Sequence, residues 1–385
     1  MVLLFCRQES VIMAYKQPLL IIHLVISLSQ TLHGVATLVP SRNLHLETSL
    51  QGCDEDLELK KMFCNRRGFN SVPQHLPIDI EGLDLGSNNI TSLMSSTFRR
   101  YPLITDLYLS VNDIKVIEST AFHPLKDLDR LDIAANSNLV LSGTGLFKWA
   151  RKLSHLDVSD SNLRSIPNDI LKWSRKLDTV NLRGNLLTVI NISSCGTARH
   201  VDLSNNRIHN LTEDAFKFVC NSDTLDLTQN TIISVDQNVI ASLHVRSLIL
   251  GESALTIEEL KNIFIGFSHS VIENFTLKNG ADLSLVPKDL FDPLRDCSLR
   301  LLDLSWTHLS APYPFVFGSL TMIQIAKVPN SKWDYDVFIC FLKRRVEDNT
   351  ESNSICNENQ MHRKYNKLIS IARKSFLCFL ISECL

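Results

Sequence analysis

The 385-residue sequence predicts an α/β chain, a long curved solenoid of short parallel strands followed by a second, much shorter α/β segment. Three observations carry this. The stretches LFKWARKLSHLDVSDSNL (146 to 163) and ILKWSRKLDTVNLRGNLL (170 to 187) fall into register at a spacing of 24, down to the paired Trp149 and Trp173. The template behind them, LxxLxLxxNxL, recurs between residues 80 and 330. Near the end, SKWDYDVFICF (331 to 341) breaks that pattern: Val337, Ile339 and Phe341 alternate with Phe338 and Cys340, as in a strand buried on both faces of a parallel sheet.

The template's second apolar position falls at Leu83, Leu107, Leu131, Leu156, Val180, Val201, Leu225, Leu248, Phe275 and Leu302, at spacings of 24, 24, 25, 24, 21, 24, 23, 27 and 27. These are ten leucine-rich repeats. Each contributes one strand, LxL, whose leucines point inward while the residue between them faces out. No unit can bury its leucines alone, so stacking closes the core, and bulkier outer segments bend the stack with its strands on the concave face. Asn88, Asn112, Asn136, Asn185, Asn206 and Asn230 fall where the chain leaves the strand; buried there, an amide can bond the backbone groups that the turn frees. Ser161, Ser253, Gly280 and Thr307 interrupt this ladder, so regularity is expected to fade toward the C-terminal third. A partial eleventh unit begins at LTMIQIAKV with Leu320, Ile323 and Ile325.

Ahead of the repeats, a polar lead with Lys16, the apolar run PLLIIHLVISL (18 to 28) and the small triplet Gly34, Val35 and Ala36 read as a signal peptide over 1–36, with Met13 an alternative start. Residues 37–79 then form a cap, 80–330 the solenoid and 331–385 the last segment. The segment CDEDLELKKMFCNRRGFNSVPQHLP, from Cys53, resembles the N-terminal cap of extracellular leucine-rich repeat proteins. A small cap in an oxidising compartment has little core of its own, which implies a Cys53–Cys64 disulfide. Cys195 and Cys220 lie one repeat apart and are either a rung-to-rung bridge or two small core residues. The sequons at Asn89, Asn191, Asn210 and Asn274 agree with secretory passage. Asn274 falls at an exposed strand position, where a glycan would keep ligand off the ninth repeat.

Composition excludes much. At 44% hydrophobic and 21% charged, with a net charge of -2, the chain has core enough for two or three domains, and its compact basic run, Lys343 to Arg345, is followed at once by acids, which argues against nucleic-acid binding. Asp84, Asp132, Asp157, Asp202, Asp226 and Asp303 form an acidic column, but LDLS is what such strands favour. No zinc spacing, nucleophile elbow, phosphate loop or dinucleotide fingerprint occurs, so no catalytic residue, metal ligand or cofactor is expected.

The C-terminal segment carries the most specific resemblance. Tyr335, Asp336, Val337, Phe338, Ile339, Cys340 and Phe341 resemble the first sequence box of the Toll/interleukin-1 receptor (TIR) domain, a flavodoxin-like α/β fold. LISIARKSFLCFLISECL (368 to 385) resembles that domain's second helix and third strand. Signal peptide, capped solenoid and this sequel together resemble the Toll-like receptor family. The stretch from 343 to 367 lacks the Arg-Asp-x-x-Pro-Gly loop of such domains, and the pattern stops after the third strand, so the chain is read as an incomplete or variant product whose TIR-like part is too short for the NAD hydrolysis some TIR domains perform.

The resemblance implies a single-pass innate immune receptor. Its solenoid would bind a microbial or endogenous ligand through residues the sequence does not single out, a receptor dimer would form, and cytosolic TIR adaptors would be recruited. The best uncharged run, Leu309 to Ala326, is short and broken by Pro312, Pro314 and Gly318, which leaves a secreted or retained binding or decoy protein as the alternative.

Overall fold

The computed structural model describes residues 52–307, apart from Arg175, 193–197, 217–218, Cys220, Ala254, Leu285 and Trp306, together with the strand Gln324–Ala326. The chain divides into two compact units, Met1–Ser49 and Leu50–Leu385, and everything described belongs to the second. The signal peptide, Cys195, Cys220 and the TIR-like segment lie outside the described residues.

The main sheet has thirteen strands stacked in chain order. Its first pair, Asp54–Asp56 and Lys61–Phe63, is antiparallel, and every later pairing is parallel. The ten template positions from Leu83 to Leu302 pair rung to rung in perfect register, and Ile325 continues them in the strand Gln324–Ala326. Each is buried down to Leu302, and so is the apolar residue two places on, such as Leu85, Leu109 and Ile133. One continuous core therefore runs the length of the stack.

Buried amides lock one rung to the next. Asn136, fully buried, accepts from the Ile114 N–H (2.9 Å) and donates both to Leu109 O (3.1 Å) on the preceding rung and to Ile133 O (2.8 Å) on its own. Asn88, Asn112, Asn185, Asn206 and Asn230 make the same bridge. The turn requires a left-handed residue just before this position: Ser87, Val111, Ala135, Asp160, Asn205 and Gln229 all have positive φ, and Gly184 fills the same place. For Val111 (φ 55°) this is costly, because a β-branched side chain crowds the backbone there. Where the ladder lapses, Ser161 keeps part of it by donating to Ser159 O (3.0 Å), whereas the Ser253 hydroxyl is buried without a partner.

Outer segments set repeat length. Repeats of 24 residues cross the back of the solenoid in turns, and Phe98, Phe122 and Phe147 stack behind the leucines at centroid distances of 6.2 and 5.8 Å. The 27-residue spacing from Leu248 to Phe275 makes room for the helix Ile257–Phe267. Thr256 caps it by accepting from the Glu259 N–H (3.2 Å), Glu258 and Glu259 complement its dipole, and Leu260, Ile263, Phe264 and Phe267 bury one face at helical spacing.

At the N-terminal end a disulfide joins Cys53 to Cys64, and Met62 covers the open core. Closing so short a loop contributes about 2–3 kcal/mol. Tyr101, fully buried, donates to Pro73 O (2.5 Å) and accepts from the Leu76 N–H (3.3 Å), pinning the segment after the disulfide to the first repeat.

Two substitutions separate the amide's role from simple burial. Asn136→Ala strands one N–H and two carbonyls in the core and should lower stability by about 3 kcal/mol, whereas Ser253→Ala removes an orphan hydroxyl and should be neutral or stabilising by up to about 1 kcal/mol. Urea and thermal melts of the two variants against the parent chain read the difference.

Candidate binding surface

The parallel register lays side chains in two columns along the outward face of the main sheet. In the first, Lys61, Gly82, Asp106, Arg130, His155, Thr179 and His200 follow one another from the N-terminal end. Asp106 lies between two cations, with Arg130 Nε at 3.6 Å and Lys61 Nζ at 3.4 Å. Lys61 reaches it across a bare rung: a Cβ on Gly82 would lie 2.6 Å from Lys61 Cγ. Further along, Thr224, Ser247, Asn274 and Leu301 leave the same column uncharged.

The acidic column is the second. It is not a row of free carboxylates. Asp84, Asp132, Asp157, Asp202, Asp226 and Asp303 are half-buried, and each turns back to accept the backbone N–H two residues on, at 2.8 to 2.9 Å. Ser159, Thr228 and Ser305 add hydroxyl donors to the same oxygens. Asn181 does the same work uncharged, accepting from the Arg183 N–H (3.1 Å) and donating to Asp157 Oδ2 (2.8 Å). The residue type thus answers a structural need of the turn. Among the described residues no group of His, Cys, Asp and Glu is arranged to hold a metal ion.

Burial pushes the Asp132 carboxyl up from its ordinary value, against the bonds from Ala134 N–H and Ser110, and the charges of Asp157 and Asp84 add to the rise. Burial also pushes up the thiol of Cys297, the described free cysteine, whose Sγ donates to Leu294 O (3.2 Å).

The sequon asparagines separate by place. Asn89, Asn191 and Asn210 are exposed, Asn89 just after the turn of the first repeat and Asn210 on the small two-stranded sheet beside the main one. Asn274 is half-buried on the main sheet, in register between Ser247 and Leu301. No helix among the described residues is long and apolar enough to cross a membrane.

Comparison with known proteins agrees with this architecture. Residues 80–137 match the family model described as leucine rich repeat, and residues 142–266 match the BspA type leucine rich repeat region (6 copies). The solenoid is built of leucine-rich repeats. Tsukushi of Gallus gallus is 32% identical over 150 residues, which are 38% of this chain and 40% of that protein. Transforming growth factor beta activator LRRC32 of Mus musculus is 31% identical over 107 residues, 27% of this chain and 16% of that one. The chain therefore spans well under half the length of these curated relatives. In fold, it resembles a chain of the crystal structure of the mouse RP105/MD-1 complex, with a TM-score of 0.61 and 23% identity over 71% of this chain and 46% of that one.

The raised Asp132 carboxyl has a testable sign. The folded chain holds that proton more tightly than the unfolded chain does, so above its raised pKa the ionised group subtracts stability, and the loss is recovered as pH falls through that value. Asp132→Asn keeps the acceptor, as Asn181 does. It should melt above the parent at neutral pH, and the gap should close as pH is lowered through the carboxylate range; thermal melts across a pH series measure both.

Proposed function

We propose that this chain is a ligand-recognising leucine-rich repeat receptor of the Toll-like type and that it has no catalytic activity. The observation that carries this is the in-register sheet face, where a regular backbone presents a side-chain pattern that changes from rung to rung. In the first column charge is concentrated between Lys61 and Arg130, and the stretch from Thr224 to Leu301 is neutral. Such a surface suits recognition of an extended partner, because specificity is spread over many rungs while the scaffold stays constant. A glycan on Asn274 would screen the neutral end, so a microbial or endogenous ligand on this face would sit N-terminal to the ninth repeat. Signalling in this reading passes through a receptor dimer and TIR adaptors recruited by residues 331–385.

A second reading, a secreted or retained leucine-rich repeat binding protein without signalling, is favoured by the interruption of the run from Leu309 to Ala326 by prolines and glycine. Location of the full chain decides between them. With a tag placed after Leu385 and expression in animal cells, the receptor reading expects tag in carbonate-resistant membrane, accessible from the cytosol. Tag recovered from the medium or the soluble lumen overturns that reading and leaves the binding protein.

A further inference from the structure

We propose that the outer side of the second to fourth repeats, remote from the sheet face, binds a sulfated glycosaminoglycan. In the sequence motifs KWARK (148 to 152) and KWSRK (172 to 176), Lys148, Trp149 and Lys152 have Lys172, Trp173 and Lys176 as their counterparts at equivalent places on consecutive rungs. Lys148 Nζ lies 5.4 Å from the centroid of the Trp149 ring and 5.9 Å from that of Trp173, and Lys172 Nζ lies 5.1 Å from Trp173. His123 meets Trp149 edge-on at 4.5 Å. Ammonium groups and indoles are thus interleaved in one band.

Most of the charge on this band is uncompensated. Lys126, Lys148, Arg151, Lys172 and Lys176 are exposed, and none forms a salt bridge among the described residues. Lys152 is paired, with Asp127 at 2.7 Å, and Asp169 is turned inward to the Gly145 N–H (2.8 Å) and Trp173 Nε1 (3.4 Å). On the sheet side, by contrast, Lys61, Arg130 and Arg199 each have a carboxylate partner, and Arg246 of the strand Val245–Ile249, unpaired among the described residues, stands apart from them. A row of like charges repels along its length, and a linear polyanion reverses that repulsion. Toward the N-terminal end the band continues into a shallow groove of about 600 Å³ lined by Ser95, Arg99, Pro102, His123, Pro124, Lys126 and Asp127, whose carboxylate is the one paired with Lys152.

The chemistry favours a sulfated sugar over other polyanions. Lysine covers the indole faces, so they offer point charges rather than open stacking platforms for bases. Both tryptophans are half-buried, which leaves no protruding apolar wedge for a lipid surface. The Cys53–Cys64 disulfide fits the oxidising compartments where sulfated polysaccharides are met. Only this last step rests on an exported chain, and the test below does not use it.

Purified full chain is applied to immobilised heparin and eluted with sodium chloride. A variant with Lys126, Lys148, Arg151, Lys172 and Lys176 changed to Gln should elute at lower salt and bind heparin about tenfold or more weakly. A control of equal net charge, with Arg207, Arg246, Lys278, Lys288 and Arg295 changed to Gln, should elute with the parent. In the unmodified chain, heparin should protect Lys126, Lys148, Lys172 and Lys176 from acetylation, and desulfated heparin should not. Equal elution of the two variants, or unprotected lysines, overturns the proposal. Displacement of heparin by a lower concentration of single-stranded RNA or of phosphatidylserine vesicles would also overturn it, in favour of those partners.

Discussion

Everything in this solenoid depends on satisfying the backbone where each strand ends. The chain turns away inside an apolar stack, and the turn leaves N–H and C=O groups that water cannot reach. One buried amide per rung answers this in both directions at once, accepting from the returning chain and donating to carbonyls of its own rung and the one before. Because the bridge spans two rungs, it also fixes their register, and the register in turn aligns the side-chain columns of the outward face. Where asparagine is missing, the chain finds other solutions. Thr307 donates to Leu304 O (2.7 Å), and at Gly280 a Cβ would sit 2.7 Å from Leu250 O, so the backbone itself closes the slot.

Much of this was legible in the amino-acid order, for physical reasons. Leucine spacing marks strand centres because each must reach the same core from the same side, and so the positions from Leu83 to Leu302 pair as their alignment implies. Spacings of 27 announced larger outer segments without saying what fills them, although Thr256 followed three residues later by Glu259 is a helix-start signature. Alternation placed the aspartates on the outward face but could not tell that each folds back onto its own turn. The repeated Asp-x-Ser and Asp-x-Thr pairs, at Asp157, Asp202, Asp226 and Asp303, carried that signal. The reach of Lys61 over Gly82 to Asp106 left no local trace, since three separate rungs create it.

The left-handed residue before each amide is a second constraint hidden in the pattern. It explains why small or amide-bearing residues such as Ser87, Gly184 and Asn205 crowd that place, and it marks Val111 as an exception that the fold tolerates. Repeats can thus vary freely across the sheet face while remaining narrow at the turn. That division lets one scaffold present many different surfaces.

The turned-in aspartates have one more effect. Their bonds keep negative charge half-buried along the sheet side, while on the back of the second to fourth repeats Lys126, Lys148, Arg151, Lys172 and Lys176 stand without carboxylate partners among the described residues. Over these repeats the two sides therefore differ in the charge they show. Near any fixed polyanionic layer the solenoid would settle back first, the acidic side turned outward, and the orientation of the sheet toward a passing partner would be set before contact is made.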